Sequence, residues 1–251
     1  MIDIHCHLEQ PDFSKDRDEI IETCKKELKA VITCCAHPRD FDLTLQLTEK
    51  YKNFVFATCG IHPEYIKEVS EKEIDECIEK IKQNKEKIVA IGETGMDKFW
   101  IQEVDWQVKQ KDLFVNLISL AKKIDKPLVV HSREACKDVL EILESENAKK
   151  VLLHLWGDKN LIKTILDYGW HISVGPILLK SKNHKKMIRD MPIERIMTET
   201  DSPWFGVEEK RGVPTNVKFV VQKISEIKKM NIEDVDRITT QNAVKFFSLN
   251  I

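Results

Sequence analysis

Short apolar runs recur along the chain, each followed by a longer stretch with amphipathic spacing. The runs are Ile2–His5, Ala30–Cys35, Phe54–Cys59, Ile88–Gly92, Pro127–His131, Val151–His154, Trp170–Val174 and Arg195–Thr198. Each is too short for a helix, and most are rich in β-forming residues, which predicts buried parallel strands. Between them the apolar period lengthens. Leu113, Leu117, Leu120, Ala121 and Ile124 share one helical face, as do Val217, Val220, Val221, Ile224 and Ile227. Ser70, with Glu73 three residues on, forms a capping box ahead of Ile74, Ile78 and Ile81. Eight strands alternating with helices predict an α/β fold, a (β/α)8 TIM barrel with residues 1–251 as one domain. The rival is an open doubly wound sheet, which would place a glycine-rich phosphate loop after the first strand. The residues there are His5-Cys6-His7-Leu8-Glu9.

Composition narrows the function classes. The 251 residues carry a net charge of −2, which argues against a protein that coats nucleic acid but leaves room for a local basic patch. No apolar run approaches the ~20 residues of a membrane helix, and the N-terminus lacks the pattern of a signal peptide. The seven cysteines are odd in number, form no CxxC pair and sit mostly in apolar runs. They predict free thiols and a cytoplasmic protein. No obligate protein partner is expected.

Polar residues gather at the C-terminal ends of the runs, the face that carries the active site in a barrel. His5 and His7 end the first run, His62 follows the third, and Glu93 ends the fourth. His131, His154 and Asp201 end the fifth, sixth and eighth. Side chains two apart on a strand share a face, so His5 and His7 can grip one ion while Cys6 points away. Imidazole plus carboxylate ligands suit a catalytic divalent metal. Six candidates, His5, His7, Glu93, His131, His154 and Asp201, exceed the needs of one ion and fit two. His5, His7 and Asp201 are assigned to one ion, His131 and His154 to the other, with Glu93 as bridge. Asp201 is also placed to accept the proton of an activated water. Glu199, two residues earlier, is expected behind the ligands, orienting one of them; the alternative is a buried carboxylate paired with a lysine or arginine.

At these residues the chain resembles the TatD-type metal-dependent hydrolases, a branch of the amidohydrolase-like TIM barrels. The resemblance spans nearly the whole length. It rests on Ile2-Asp3-Ile4-His5-Cys6-His7-Leu8, Gly60-Ile61-His62-Pro63, Ala90 through Asp97, Gln110 through Phe114, Pro127 through Arg133, Val151 through His154, Ile172 through Gly175 and Thr198 through Pro203. It implies a deoxyribonuclease with exonuclease character that cleaves phosphodiester bonds in DNA, at single-stranded or frayed ends. Two divalent ions (Mg, Mn or Zn) would be held by the same six residues, with Asp201 and Glu93 catalytic. The segments Leu155-Trp156-Gly157-Asp158, Lys98 and Lys210 through Asn216 depart from the family pattern at the mouth.

A phosphodiester substrate needs cations and donors around the metals. Arg133 is expected to fork onto a phosphate, or else to form an ion pair at the rim. Arg211 and, more weakly, Lys98 join it. His62 is expected to bond a phosphate oxygen or protonate a leaving group, unless its His-Pro turn is structural. Trp100, Trp156 and Trp204 are candidates for base stacking, with packing as the alternative. Lys180, Lys182, Lys185, Lys186 and Arg189 either track a nucleic-acid backbone or form a solvated face. His37 is read as a turn residue, His171 as a core or edge histidine, and His184 shows no ligand pattern. Two other functions remain open: a metal-dependent hydrolase of a small ester or amide (or an aminoacyl-tRNA deacylase), and a barrel that only binds a partner.

Overall fold

The computed structural model describes residues 1–208 and 210–251. Eight parallel strands pair in sequence order. They are β1 (Ile2–Cys6), β2 (Ala30–Cys35), β3 (Val55–Cys59), β4 (Ala90–Asp97), β5 (Leu128–Arg133), β6 (Val151–Leu153), β7 (His171–Val174) and β8 (Ile196–Thr198). The helices between them are α1 (Arg17–Glu27), α2 (Phe41–Lys50), α3 (Glu71–Gln83), α4 (Val104–Ile124), α5 (Cys136–Ser145), α6 (Ile162–Asp167), α7 (Lys182–Asp190) and α8 (Val217–Lys228), with α9 (Ile232–Phe247) following α8. The seam between β8 and β1 is bridged just beyond the ladder: Asp201 N donates to His5 O and His7 N donates to Ser202 O, both at 2.8 Å. The expected barrel is therefore present, and the Ser70–Glu73 capping box opens α3 as anticipated.

Strand alternation sorts the apolar residues into an inner and an outer layer. Ile2, Ile4, Ala30, Ile32, Ala90, Val129, Leu152 and Met197 pack inside the barrel with Ala243 and Phe247 of α9 and with Leu249. That group forms the floor. Their strand neighbours, such as Ile91, Val130 and Leu153, face the helices in the larger outer core.

Two strands break the regular alternation where the chemistry is expected. On β1, Asp3 pairs with Val31 and Cys6 with Thr33, so three steps oppose two. On β4, Ile91 pairs with Leu128 and Thr94 with Val130, the same mismatch. These are β-bulges, which re-aim side chains and bend a strand. One contains His5 and the other Glu93. The β4 bulge depends on glycine: Gly92 has φ 149°, and a Cβ there would lie 2.5 Å from the Val129 carbonyl. The sequence reading ended this strand at Gly92. It runs on to Asp97, because the two flanking glycines let β4 continue tight against β5.

Candidate metal centre

The mouth of the barrel opens into a cavity of about 710 Å³. Its base is a cluster of imidazoles and carboxylates from five strands. His5 Nε2 lies 3.1 Å from His7 Nε2, 3.2 Å from Glu93 Oε2 and 3.6 Å from Asp201 Oδ1. His7 Nε2 is 3.3 Å from the same Asp201 oxygen. The other Glu93 oxygen faces the opposite way: Oε1 is 2.8 Å from His131 Nδ1, 3.4 Å from His62 Nε2 and 3.7 Å from His154 Nε2. All six expected ligands are thus brought together; Glu93 Oε2 faces His5 and Oε1 faces His131, while His154 stacks on His5 and its Nε2 also lies 3.9 Å from Asp201 Oδ1. Asp201 reaches inward from a left-handed backbone conformation, φ 55°, directly after β8.

The electrostatics follow from burial and proximity. Burial alone would raise the Glu93 pKa, but the His62, His154 and His5 imidazoles hold it well below the carboxylate range. Asp201 is likewise held low against its burial by His154 and His7. Burial opposes charge on His154 too, yet Glu199 and Glu93 push its pKa up to about 10. Desolvation and the neighbouring His154 lower His5. Buried anionic oxygens facing several imidazole nitrogens at 3–4 Å form a cation-seeking centre. The His5 Nδ1 atom is buried without a partner, so that ring is held by its neighbours at Nε2 alone.

Behind these groups lies a set of fixed partners. His154 Nδ1 donates to Glu199 Oε2 at 2.8 Å, and Glu199 also accepts from Ser173 Oγ and Leu155 N. No lysine or arginine pairs with Glu199 among the described residues. Its expected orienting place is the one observed. Three further residues were not anticipated. Glu9 Oε1 sits 3.1 Å from His7 Nδ1 and its second oxygen accepts from Thr33, so it fixes that ring. Asp97 Oδ2 lies 2.9 Å from His131 Nε2, and Oδ1 accepts from Trp100 N. Cys34, fully buried, brings its sulfur within 4.8 Å of donor atoms of His5, His7 and Glu93. Glu9 had a readable signal, two residues past His7 in extended chain. Cys34 had none, because its approach is set by strand pairing.

The rim confirms some expectations and corrects others. His62 lines the cavity, and its Nδ1 accepts from Glu64 N, capping the turn Pro63–Lys67. The cap leaves the proton of the neutral ring on Nε2, facing the cavity. His37 makes the same kind of cap but does not line the cavity. Arg133 lines it without a carboxylate partner among the described residues. Its guanidinium lies 3.8 Å from the Phe99 ring centroid and 5.3 Å from that of Trp100. Trp100 and Trp204 also line the cavity and are 57% and 52% exposed.

Trp156 takes the packing alternative: it is 2% exposed, packed in the outer core, with its indole N–H on Asp158 O. Arg211 is a correction. It pairs with Asp16, donates to Asp12 O and lies over Phe13, outside the cavity lining. The carboxylate of the segment before α1 captures it. Lys98 is held by Asp138 at 2.6 Å. His184 lines the cavity unannounced by any ligand pattern, fixed by Ser181 Oγ at 2.8 Å.

Known proteins agree with this architecture. The TatD related DNase family profile matches residues 2–248. The chain belongs to that family. Among TatD relatives, human deoxyribonuclease TATDN3 is 33% identical over 98% of this chain and 94% of its own length. The uncharacterized metal-dependent hydrolase MJ1582 of Methanocaldococcus jannaschii is 35% identical over 98% and 96%. The TatD homolog YJJV from Escherichia coli superposes with a TM-score of 0.91 over 100% of this chain and 98% of its own, at 22% identity. This chain is thus a TatD-family metal-dependent hydrolase. No helix among the described residues is long and apolar enough to cross a membrane.

Proposed function

We propose that this chain is a deoxyribonuclease that hydrolyses phosphodiester bonds at single-stranded or frayed DNA ends, as an exonuclease. The observation that carries the reading is the joint geometry of the cavity: six converging candidate metal donors beside a guanidinium with no carboxylate partner among the described residues. His5, His7 and Asp201 would hold one divalent ion (Mg, Mn or Zn) and His131 and His154 the other, with Glu93 shared between them. Bound there, the ions would acidify a water and polarise a phosphoryl oxygen.

The chain's own groups do the rest. Asp201, whose Oδ1 lies 3.3 Å from the cavity-facing His7 Nε2, would take the proton of the attacking water. Glu199 keeps the His154 ring oriented, and Glu9 does the same for His7. The Arg133 guanidinium, stiffened by stacking on Phe99, presents its N–H groups to a phosphate. His62 Nε2–H donates to a second phosphate oxygen. Trp100 and Trp204 offer exposed faces for bases. The seven free thiols fit cytoplasmic residence.

The test uses metal-stripped protein, end-labelled single-stranded DNA, and Mg²⁺, Mn²⁺ or Zn²⁺ added singly, beside Asp201→Ala. Metal-dependent release of nucleotides, lost in the variant, supports the reading. Intact DNA under every metal overturns it and moves the search to ester, amide and aminoacyl substrates.

A further inference from the structure

The rim of the cavity is electrically lopsided. On the side of β3 it carries the carboxylate of Glu64, which lines the cavity. On the side of β7 the chain from residue 168 to 189 contains no aspartate or glutamate, yet it holds Lys180, Lys182, Lys185, Lys186 and Arg189. This segment is in contact with the site. Ile177 and His184 both line the cavity, so Lys180 and Lys182 lie in the chain between two lining residues.

The placement of these cations on α7 is orderly. Met187 and Ile188 are buried, and His184, one turn earlier, turns toward the cavity. Lys182, Lys185, Lys186 and Arg189 fall at i, i+3, i+4 and i+7, which is a second stripe along the same helix. Lys180, Lys182 and Lys186 are exposed. Among the described residues none of them has a carboxylate within 4.0 Å. Elsewhere the surface lysines are mostly tied: Lys25 to Glu22, Lys50 to Asp18, Lys67 to Glu103, Lys80 to Asp42 and Lys87 to Glu49. Unpaired lysines repeating at about 5.4 Å per turn suit a chain of phosphates better than a single anion.

We infer that a single-stranded polynucleotide leaves the cavity across Ile177–Arg189, its phosphates tracked by Lys180, Lys182 and Lys186. The inference rests on reading the cavity as a phosphodiester site and adds the direction of the bound strand. Arg133, the last residue of β5, also lines the cavity and adds a cation two strands from β7.

The experiment measures binding of a fluorescein-labelled 20-nucleotide single strand to the purified full chain with EDTA present, so that no hydrolysis runs. The track variant is Lys180→Glu/Lys182→Glu/Lys186→Glu. The matched control is Lys26→Glu/Lys52→Glu/Lys111→Glu, three exposed lysines away from the mouth with the same change in net charge. The track variant should lose at least tenfold in affinity. Its slope of log affinity against log salt should shrink by about 2, at roughly 0.7 per phosphate contact on a single strand. The control should change neither by a comparable amount. Equal losses in both variants, an unchanged track variant, or a wild-type chain that binds no strand would each overturn the inference. A wild-type chain that binds through these lysines but releases no nucleotide with metal would sink the proposed hydrolysis and leave the track standing.

Discussion

The two ends of the barrel are built by the same strands and have opposite chemistry. At the floor, Ile2, Ile4, Val129, Leu152 and Met197 close on Phe247 and Leu249 in an apolar plug. Two to three residues further along the same strands, His5, His7, Glu93, His131 and His154 crowd nitrogen and oxygen atoms at 3–4 Å. The floor gains from burial. The mouth concentrates buried charge, which by itself weakens a fold unless it is paired. Stability and chemistry are thus separated along the strand axis, and variants at one end should leave the other largely intact.

The largest effect expected is at the mouth. Glu93→Gln removes the carboxylate whose two oxygens face His5 on one side and His131 on the other. DNA hydrolysis with saturating metal should fall by more than the ~10- to 100-fold typical of partners behind the ligands, while urea unfolding remains cooperative. A variant retaining near-normal turnover would show that Glu93 is not shared. Phe247→Ala should do the reverse. Removing a buried aromatic from the floor should cost about 3–5 kcal/mol in unfolding free energy, with metal affinity of the folded chain within about twofold. If metal affinity fell in step with stability, the two ends would not be separable.

Smaller effects sharpen the comparison. Glu199→Gln leaves the shape but takes the charge from His154, so metal affinity should drop by about 10- to 100-fold in direct titration. No change would return Glu199 to a purely structural role. His171 on β7, remote from the donors, provides a pH probe of the fold. Burial, then the nearby Arg195 and Lys245, lowers its pKa to about 4. Its folded value lies below its unfolded value, so the unfolded chain binds the extra proton first. Stability from this residue is therefore full above about pH 6.5 and is lost as pH falls toward 4, by about 1–2 kcal/mol at pH 5. Denaturant melts of His171→Gln should show a shallower acid slope than the parent; parallel slopes would contradict the assignment.

The eight strands and the six candidate ligands were legible because both leave short-range marks. Strands appear as apolar runs, and ligands appear where a run meets His, Glu or Asp. The bulges were not legible. They depend on two strands being out of step, and only the glycines around Glu93 hint at it. Arg211 misled because a basic loop residue carries no sign of its partner: Asp16 lies far away in sequence. For Trp156 the sequence left packing and stacking both open, because a tryptophan two residues past His154 can turn outward into the helical layer as readily as toward the mouth. Cys34, Asp97 and His184 reach the site through register and loop packing, which no local pattern records.

The central claim is that the bulged strands assemble two donor groups sharing Glu93, and that both are needed for hydrolysis. The most direct measurement titrates metal-stripped protein with Mn²⁺ while following nucleotide release from labelled single-stranded DNA and counting bound ions. Activity that climbs to a plateau only at two equivalents is the predicted result. Full activity at one equivalent, with no second ion bound, would contradict it.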